Sequence, residues 1–309
     1  MAIDPHGAPQ SVGTDVRTAL KEGMALLRAA NVPSSTLAAE LLLMHALARD
    51  RTWLYTHPES EIDASAARNY FGLITRRAAG EPTQYLTGKQ EFWGLEFEVT
   101  PAVLIPRPET EHVIEVALER LGARGIKINM RTGEPSSPLR IADVGTGSGC
   151  LAVALAHELP HAEIFATDIS AAALEVARRN AARHGVSSRV QFFEGDLLKP
   201  ISASPGSFDL IVSNPPYVAQ NDAAILAREV REHEPHAALF GGPSGIEMYE
   251  RLIEEASELL RSSGALVLEL GYNSAQPVRA ILVEQRNWVN VSVTDDLAGI
   301  PRVLAAERA

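Results

Sequence analysis

The sequence predicts an α/β fold, a doubly wound and mostly parallel sheet, preceded by a small N-terminal helical bundle. From residue 139 onwards, short apolar segments typical of strands alternate with helical segments. Several of these strands run directly into glycine, acidic or proline-rich turns. Before residue 85 the apolar residues recur at helical spacing, and a chain of 309 residues has room for two domains.

Three helices are predicted in the N-terminal part. Thr14 is expected to cap a helix that runs to about residue 30, and Pro33 starts a second helix. A third helix is predicted over residues 64–78. We assign residues 1–84 to this bundle and expect it to recognise a partner.

A β-hairpin is predicted between the bundle and the second domain. Residues 92–99 alternate apolar and acidic side chains, as a half-buried strand does. We assign residues 85–106 to this linker and residues 107–309 to the second domain. Residues 122–138 are rich in Gly, Ser, Pro and basic residues, which predicts a surface loop.

The second domain is predicted to alternate strands and helices along its length, so most of its strands should be parallel. The first helix of this domain is predicted over residues 113–121, before its first strand. Strands are expected at 139–144, 163–167, 189–193, 210–213, 265–270, 289–293 and 302–305, and helices at 150–157, 170–184, 244–260 and around 281.

Composition narrows the classes of function. The net charge of −11 disfavours tight non-specific binding to nucleic acid, which needs clustered Lys and Arg. The single cysteine, Cys150, allows no internal disulfide and indicates a reducing, cytoplasmic compartment. The first 15 residues lack the apolar core of a signal peptide, and no run of about 18 apolar residues predicts a membrane span. We expect a monomer without a metal site.

The most informative stretch follows the strand over residues 210–213. The prolines of the Asn-Pro-Pro-Tyr turn fix the backbone and remove two donors, which leaves a stiff platform with free acceptors. Such a platform suits a flat group with an NH2, whose hydrogens the Asn214 side-chain oxygen and the Pro215 carbonyl would accept while Tyr217 packs on its plane. We assign catalysis to Asn214, Pro215 and Tyr217, and substrate binding to these three and Pro216.

A second turn, between a strand and a helix, predicts a cofactor site. Its glycines let the backbone approach a ligand closely, next to a helix N-terminus. Cys150 stands where the dinucleotide fingerprint requires its third glycine, which disfavours an NAD-dependent dehydrogenase. The turn consists of Gly145, Thr146, Gly147, Ser148 and Gly149.

Acidic residues at the next two strand ends complete the predicted cofactor site. Asp168 can hold a ribose diol. Asp196 can accept the hydrogen of an exocyclic amine, with Leu197 as an apolar wall for a purine. Asn214 adds a smaller contribution from the fourth strand end. Because no lysine or further phosphate-binding motif accompanies the turn, the site fits a nucleoside without a pyrophosphate, such as S-adenosylmethionine.

The segment from residue 105 to 111, Ile-Pro-Arg-Pro-Glu-Thr-Glu, has two interpretations. Its prolines can simply make a rigid start to the helix that follows. Alternatively, Arg107 and Glu109 lie beside the mouth of the site and contact the substrate. We include both residues among the substrate-binding candidates.

Taken together, these motifs resemble class I S-adenosylmethionine-dependent amino-methyltransferases. The helical N-terminal part and the sequences around residues 85–95, 105–111, 234–242 and 296–302 resemble the release-factor glutamine methyltransferase family in particular. The resemblance covers residues 14 to about 307. It implies transfer of a methyl group to the side-chain amide nitrogen (N5) of the glutamine in the Gly-Gly-Gln loop of class-1 peptide-chain release factors. It also implies that the glycine turn and Asp168 hold the cofactor, while the turn at Asn214 holds the glutamine.

Several alternatives stay open at this point. The Asn-Pro-Pro-Tyr turn is shared with adenine-specific DNA methyltransferases, which would need a base-flipping pocket and a basic face. A methyltransferase acting on a glutamine of a ribosomal protein would differ in its partner. A catalytically silent module that binds S-adenosylmethionine would leave the turn at Asn214 without a function.

Overall fold

The computed structural model describes residues 14–123, 139–202 and 206–309. The predictions for residues before 14 and for most of the loop over 122–138 lie outside the described residues. The chain divides into two compact units, residues 1–88 and residues 89–309. The finer division into bundle, linker and second domain, with the functions assigned to each, stays a prediction.

The first unit consists mainly of helices around one apolar core. Leu27, Leu42, Leu43 and Ile74 are among its fully buried side chains. The elements in chain order are β1 (Thr14–Asp15), α1 (Val16–Ala29), α2 (Ser35–Leu47), α3 (Arg51–Thr56), β2 (Glu61–Ile62), α4 (Ala64–Ala78) and α5 (Thr83–Thr87).

The start of α1 differs from the prediction. Asp15, not Thr14, caps the helix, and its Oδ1 accepts a hydrogen bond from the backbone N–H of Thr18 at 2.7 Å. Thr14 is held instead in the short strand pair with β2. The helix α3 was not predicted, because six residues are too few to show a helical period.

The second unit contains a β-hairpin and a seven-stranded sheet flanked by helices. The hairpin pairs β3 (Lys89–Phe92) with β4 (Leu95–Glu98), and Trp93 and Gly94 turn between them with positive φ. The remaining elements are α6 (Glu111–Ala123), β5 (Arg140–Val144), α7 (Cys150–Glu158), β6 (Glu163–Asp168), α8 (Ala171–Arg183), β7 (Val190–Glu194), β8 (Phe208–Ser213), β9 (Val218–Ala219), α9 (Arg228–His233), α10 (His236–Leu239), β10 (Phe240–Gly242), α11 (Glu247–Leu259), β11 (Leu260–Glu269), α12 (Ala275–Gln285), β12 (Trp288–Asp295) and β13 (Pro301–Arg308).

The strand order of the large sheet is β12-β13-β11-β8-β5-β6-β7. The five strands from β11 to β7 are parallel, and β12 and β13 run antiparallel at one edge. The chain moves outward from β5 through β6 to β7 and then returns to the other side of β5 as β8. Such a reversal opens a crevice at the carboxyl ends of the strands, where open α/β sheets bind ligands.

Both faces of the sheet are covered by helices. Successive residues of β5 face opposite sides, so Ile141 packs in the core that includes α6 and α7, and Ala142 packs in the core that includes α11. Both side chains are fully buried, as expected for a central parallel strand. Within the described ranges, no helix has the length and apolar character needed to cross a membrane.

Candidate active site

The order of the strands brings the predicted site residues together at one edge of the sheet. Three neighbouring strands end there: β8 runs into Asn214, β5 runs into Gly145, and β6 ends at Asp168. Asp196 follows the end of β7, the next strand along. The reversal between β5 and β8 therefore sets the glycine turn directly beside the Asn-Pro-Pro-Tyr turn.

A cavity of about 330 Å³ lies at this edge. Its volume falls in the range of small-molecule sites, and most of its lining is apolar, with two carboxylates and one guanidinium. Of the residues predicted from sequence, Gly145, Gly147, Asp168, Asp196, Leu197, Asn214, Pro215 and Pro216 line this cavity. Within the described part of the chain, its lining does not include Arg107, Glu109, Thr146, Ser148, Gly149 or Tyr217.

The glycine turn adopts a conformation that other residues rarely take. Gly145, Gly147 and Gly149 have φ angles of 71°, 55° and 81°. A Cβ on Gly149 would lie 3.1 Å from the Cβ of Ala177 in α8, so this glycine serves helix packing. A Cβ on Gly145 would meet no atom of the described part of the chain within 4 Å, so here the glycine leaves open space.

Asp143, the penultimate residue of β5, stabilises the glycine turn through hydrogen bonds. Its side chain is fully buried, and Oδ2 accepts hydrogen bonds from the Thr146 hydroxyl at 2.6 Å and from the backbone N–H of Ala152 at 3.1 Å. Within the described residues, Oδ1 is buried and has no hydrogen-bond partner. Burial raises the pKa of this carboxyl to about 7.

The raised pKa of Asp143 predicts a pH-dependent stability. The unfolded chain releases this proton near 3.8 and the folded protein near 7, so the carboxyl favours the folded state below pH 4 and loses that contribution as pH rises through 7. We expect Asp143→Asn to gain stability relative to the wild type when both are moved from pH 5 to pH 8. Thermal unfolding at the two pH values measures this, and a difference in Tm that is independent of pH would contradict it.

Asp168 binds two backbone groups around the cavity. Its Oδ2 accepts a hydrogen bond from the N–H of Gly147 at 2.8 Å, and its Oδ1 accepts one from the N–H of Ser170 at 2.9 Å. Burial raises the pKa of this carboxyl, and the backbone donors oppose that shift. Because a carboxylate offers about four acceptor positions, Asp168 can also accept from a ligand hydroxyl.

Asp196 lies among cations. Its Oδ2 accepts hydrogen bonds from Lys199 Nζ at 2.6 Å and from Arg251 Nη2 at 2.5 Å. Both cations lower the pKa of the carboxyl, and the hydrogen bond from Lys199 has the larger effect. The Asp196 side chain is about one-third exposed. Leu197, the next residue, has a positive φ and packs its buried side chain in the core on the α11 side.

The Asn214 side chain is oriented by a residue that the sequence did not indicate. Its Nδ2 donates a hydrogen bond to the hydroxyl of Thr110 at 3.1 Å. The Thr110 hydroxyl in turn donates to Oε2 of Glu269 at 2.5 Å. Since the amide nitrogen is held by Thr110, the amide oxygen is the atom left to accept from a substrate.

Tyr217 contacts the protein through both its hydroxyl and its ring. The hydroxyl donates to Oε1 of Glu269 at 3.3 Å, and burial raises the pKa of the phenol. The ring packs against the core on the α11 side and against Gly271. The predicted packing of Tyr217 on a substrate amide stays a prediction.

Two glycines permit close packing against the backbone of the Asn-Pro-Pro-Tyr turn. A Cβ on Gly241 would lie 2.3 Å from the carbonyl oxygen of Pro216, and one on Gly245 would lie 2.3 Å from that of Tyr217. Gly241 belongs to β10, which pairs in parallel with β9 directly after the turn. The segment from residue 234 to 245 therefore supports the turn from outside the main sheet.

Substitution of Gly271 is expected to displace the Tyr217 ring. A Cβ at position 271 would lie 2.7 Å from Cδ2 of Tyr217 and 2.9 Å from Cγ. We expect Gly271→Ala to lower stability by about 1–3 kcal/mol through overpacking and to lower kcat as the turn shifts.

The matched control for Gly271→Ala is Gly122→Ala in α6, where a Cβ meets no atom of the described residues within 4 Å. That helical substitution should leave kcat unchanged and raise stability slightly. Thermal unfolding and steady-state kinetics of both variants measure the difference. Equal behaviour of the two variants would contradict the packing argument.

Arg107 is an ion-pair partner in the structure. Its Nη2 contacts Oε1 of Glu234, which is buried, and Oε2 of Glu234 accepts the backbone N–H of Ile105 at 3.2 Å. Glu234 thereby ties the segment before α6 to the segment that supports the Asn-Pro-Pro-Tyr turn. Glu109 is exposed. Substrate contacts of Arg107 and Glu109 stay predictions.

Sequence reasoning missed Thr110, Glu269 and Asp143 as parts of the site. Glu269 could have been suspected because an acidic residue at the end of an apolar strand is unusual. Further apolar lining residues were also missed, since single apolar residues carry no signal of a ligand: Ala102, Val103, Leu104, Ile169, Phe240 and Met248. Across the described residues, no group of three or more His, Cys, Asp or Glu is placed to hold a metal ion.

Comparison with known proteins identifies relatives over almost the whole chain. The family model described as PrmC N-terminal domain matches residues 18–88, and the one described as Methyltransferase small domain matches residues 129–236. The release factor glutamine methyltransferase of Koribacter versatilis (strain Ellin345) is 45% identical over 294 residues, 95% of this chain and 98% of that protein. The protein of the same name from Moorella thermoacetica (strain ATCC 39073 / JCM 9320) is 43% identical over 293 residues, again 95% and 98%.

Solved structures share the fold at lower sequence identity. The catalytic domain of hMettl16, in complex with the MAT2A 3'UTR hairpin 6, matches with a TM-score of 0.54 at 20% identity. The match covers 75% of this chain and 81% of that chain. At this identity the similarity shows a common methyltransferase fold and confirms the predicted fold class.

Proposed function

The chain belongs to the release factor glutamine methyltransferase family, and we propose that it transfers a methyl group from S-adenosylmethionine to a glutamine of class-1 peptide-chain release factors. The acceptor atom is the side-chain amide nitrogen, N5, of the glutamine in the Gly-Gly-Gln loop. The observation that carries this proposal is the position of the Asn-Pro-Pro-Tyr turn at the wall of the cavity that begins at the glycine turn and Asp168.

The residues of the cavity fit S-adenosylmethionine. Asp168 retains acceptor capacity for a ribose hydroxyl, and the open space at Gly145 admits a ligand against the backbone. Asp196 and Leu197 also line the cavity, and we assign the adenine to this carboxylate and this apolar side chain. When bound, this cofactor supplies a methyl group on a positively charged sulfonium, which a nucleophile can attack.

The turn at Asn214 can compensate for the low nucleophilicity of the acceptor amide. An amide nitrogen is a poor nucleophile because its lone pair is delocalised, so it must be held in line at about 3–3.5 Å. The Asn214 oxygen and the Pro215 carbonyl accept the two N–H groups of the glutamine amide. They thereby orient the nitrogen and stabilise the positive charge that builds there in the transition state.

The other acceptors are less well supported. An adenine of DNA would also offer an NH2 to this turn, but the net charge of −11 disfavours attraction to a polyanion. A glutamine of a ribosomal protein fits the same chemistry, and the first unit would decide between the two protein partners. Residues 18–88 match the PrmC N-terminal domain, which supports a function of this unit in recognising the release factor. We place this function in the cytoplasm.

Labelling in a cell extract tests the class of acceptor. The purified protein is incubated with S-adenosylmethionine carrying a labelled methyl group and an extract from which endogenous cofactor has been removed. We expect label in a protein of the size of a release factor. Label in nucleic acid would contradict the proposal, and label in a ribosomal protein would favour the second protein partner.

A further inference from the structure

Glu269 lies at the end of β11, beside the strand that leads into Asn214. Its side chain is 1% exposed. One carboxylate oxygen accepts from Thr110 and the other accepts from the Tyr217 hydroxyl, so both oxygens face groups that touch the Asn-Pro-Pro-Tyr turn. Nothing in the proposed transfer of a methyl group itself requires this carboxylate.

Glu269, Thr110 and Asn214 are connected by successive hydrogen bonds, and the direction of each bond follows from the one before it. An ionised carboxylate only accepts, so the single proton of the Thr110 hydroxyl points to Glu269. The Thr110 oxygen is then left as an acceptor, and the Asn214 amide meets it with its NH2. The Asn214 oxygen therefore faces away from Thr110. The side-chain amide cannot rotate by 180° without setting its oxygen against the Thr110 oxygen.

We propose that Glu269 is a positioning residue that acts through Thr110 to fix the Asn214 amide with its oxygen available to the substrate. This inference rests on the proposed function, because it assigns the Asn214 oxygen to the N–H groups of the acceptor amide. Without the carboxylate as acceptor, the Thr110 proton can turn to Asn214, and Asn214 can then present its NH2 to the substrate NH2. Two donors facing each other would repel the acceptor nitrogen.

The first test compares two substitutions of Thr110. Thr110→Val removes the hydroxyl and keeps the shape, whereas Thr110→Ser keeps the hydroxyl. We expect Thr110→Val to lower kcat by about 10- to 100-fold, with cofactor affinity changed less than about threefold, because a rotated amide misplaces the acceptor. Thr110→Ser should recover most of that loss. Equal kcat values for the two folded variants would overturn the proposal.

The second test uses the pH dependence of kcat at saturating cofactor and acceptor. Burial raises the pKa of the Glu269 carboxyl to about 7, while the Thr110 hydrogen bond and then Arg302 lower it. The other titratable groups that face this network are Glu109, Tyr217, Tyr249 and Cys150. Protonation makes the carboxyl a hydrogen-bond donor, so the Thr110 proton is no longer directed to it and the Asn214 amide is no longer fixed. We therefore expect kcat of the wild type to fall as pH drops from 8 to 6.

The side chain of Glu269→Gln cannot be protonated between pH 6 and 8, so kcat of this variant should not fall over that range. The matched control is Glu307→Gln, since Glu307 lies on β13 opposite Ala265, four residues before Glu269 on β11, and contacts Arg120 and Asn290. The control should keep the wild-type profile. The same fall in Glu269→Gln as in the wild type would overturn the proposal. Failure of the wild type to label the release factor would instead contradict the proposed function.

Discussion

Replacing Asn214 with alanine is expected to lower kcat by about 10²- to 10³-fold, by analogy with the loss of one oriented donor of an oxyanion hole. Asn214 lines the cavity, and its amide nitrogen is held by Thr110, so its oxygen is oriented before the substrate arrives. Preorganised groups of this kind contribute to the transition state without reorganising. Steady-state kinetics with saturating S-adenosylmethionine measures the effect.

The affinity of Asn214→Ala for the cofactor should change much less than its kcat, since Asn214 acts mainly on the acceptor. Asn287→Ala is the matched control because Asn287 is exposed and lies just before β12. Its kcat should equal that of the wild type. Near-normal turnover of Asn214→Ala would rule out the assigned function of this residue.

Replacing Asp168 with alanine is expected to weaken the binding of S-adenosylmethionine by about 10- to 150-fold. This corresponds to the loss of a charge-assisted hydrogen bond to the ribose, about 1.5–3 kcal/mol. The carboxylate also accepts the N–H groups of Gly147 and Ser170, so its loss loosens the glycine turn and acts in the same direction. Titration calorimetry measures the dissociation constant.

The control for Asp168→Ala is Glu175→Ala in α8, the helix that follows Asp168. Glu175 is exposed and pairs with Arg178 on the same helix, an interaction that contributes little. Its affinity for the cofactor should match the wild type. An unchanged dissociation constant in a folded Asp168→Ala protein would show that Asp168 does not hold the ribose.

The strands that carry the site were predictable because buried parallel strands read as continuous apolar runs. The runs ending before Gly145, Asp168 and Asn214 are mainly apolar, and polar or glycine residues mark their ends. Chemistry at strand ends could therefore be predicted without knowing the order of the strands. The rule that parallel strands bind ligands at their carboxyl edge supplied the rest.

The support of the Asn-Pro-Pro-Tyr turn could not be predicted, because it depends on the order of the strands. Thr110 lies 104 residues before Asn214 and 159 before Glu269, and no periodic pattern connects them. They meet because β11 is placed next to β8, after the reversal at β5. Likewise, Arg107 finds its partner Glu234 127 residues away.

The most direct test of the central claim offers two acceptors in one reaction. A purified class-1 release factor and double-stranded DNA are incubated together with the protein and S-adenosylmethionine, and mass spectrometry then examines the Gly-Gly-Gln peptide and the DNA bases. We expect one methyl group on the glutamine amide, none in DNA, and none in a release factor whose loop reads Gly-Gly-Asn. Methylated bases, or a Gly-Gly-Asn factor that is labelled as well as the wild type, would contradict it.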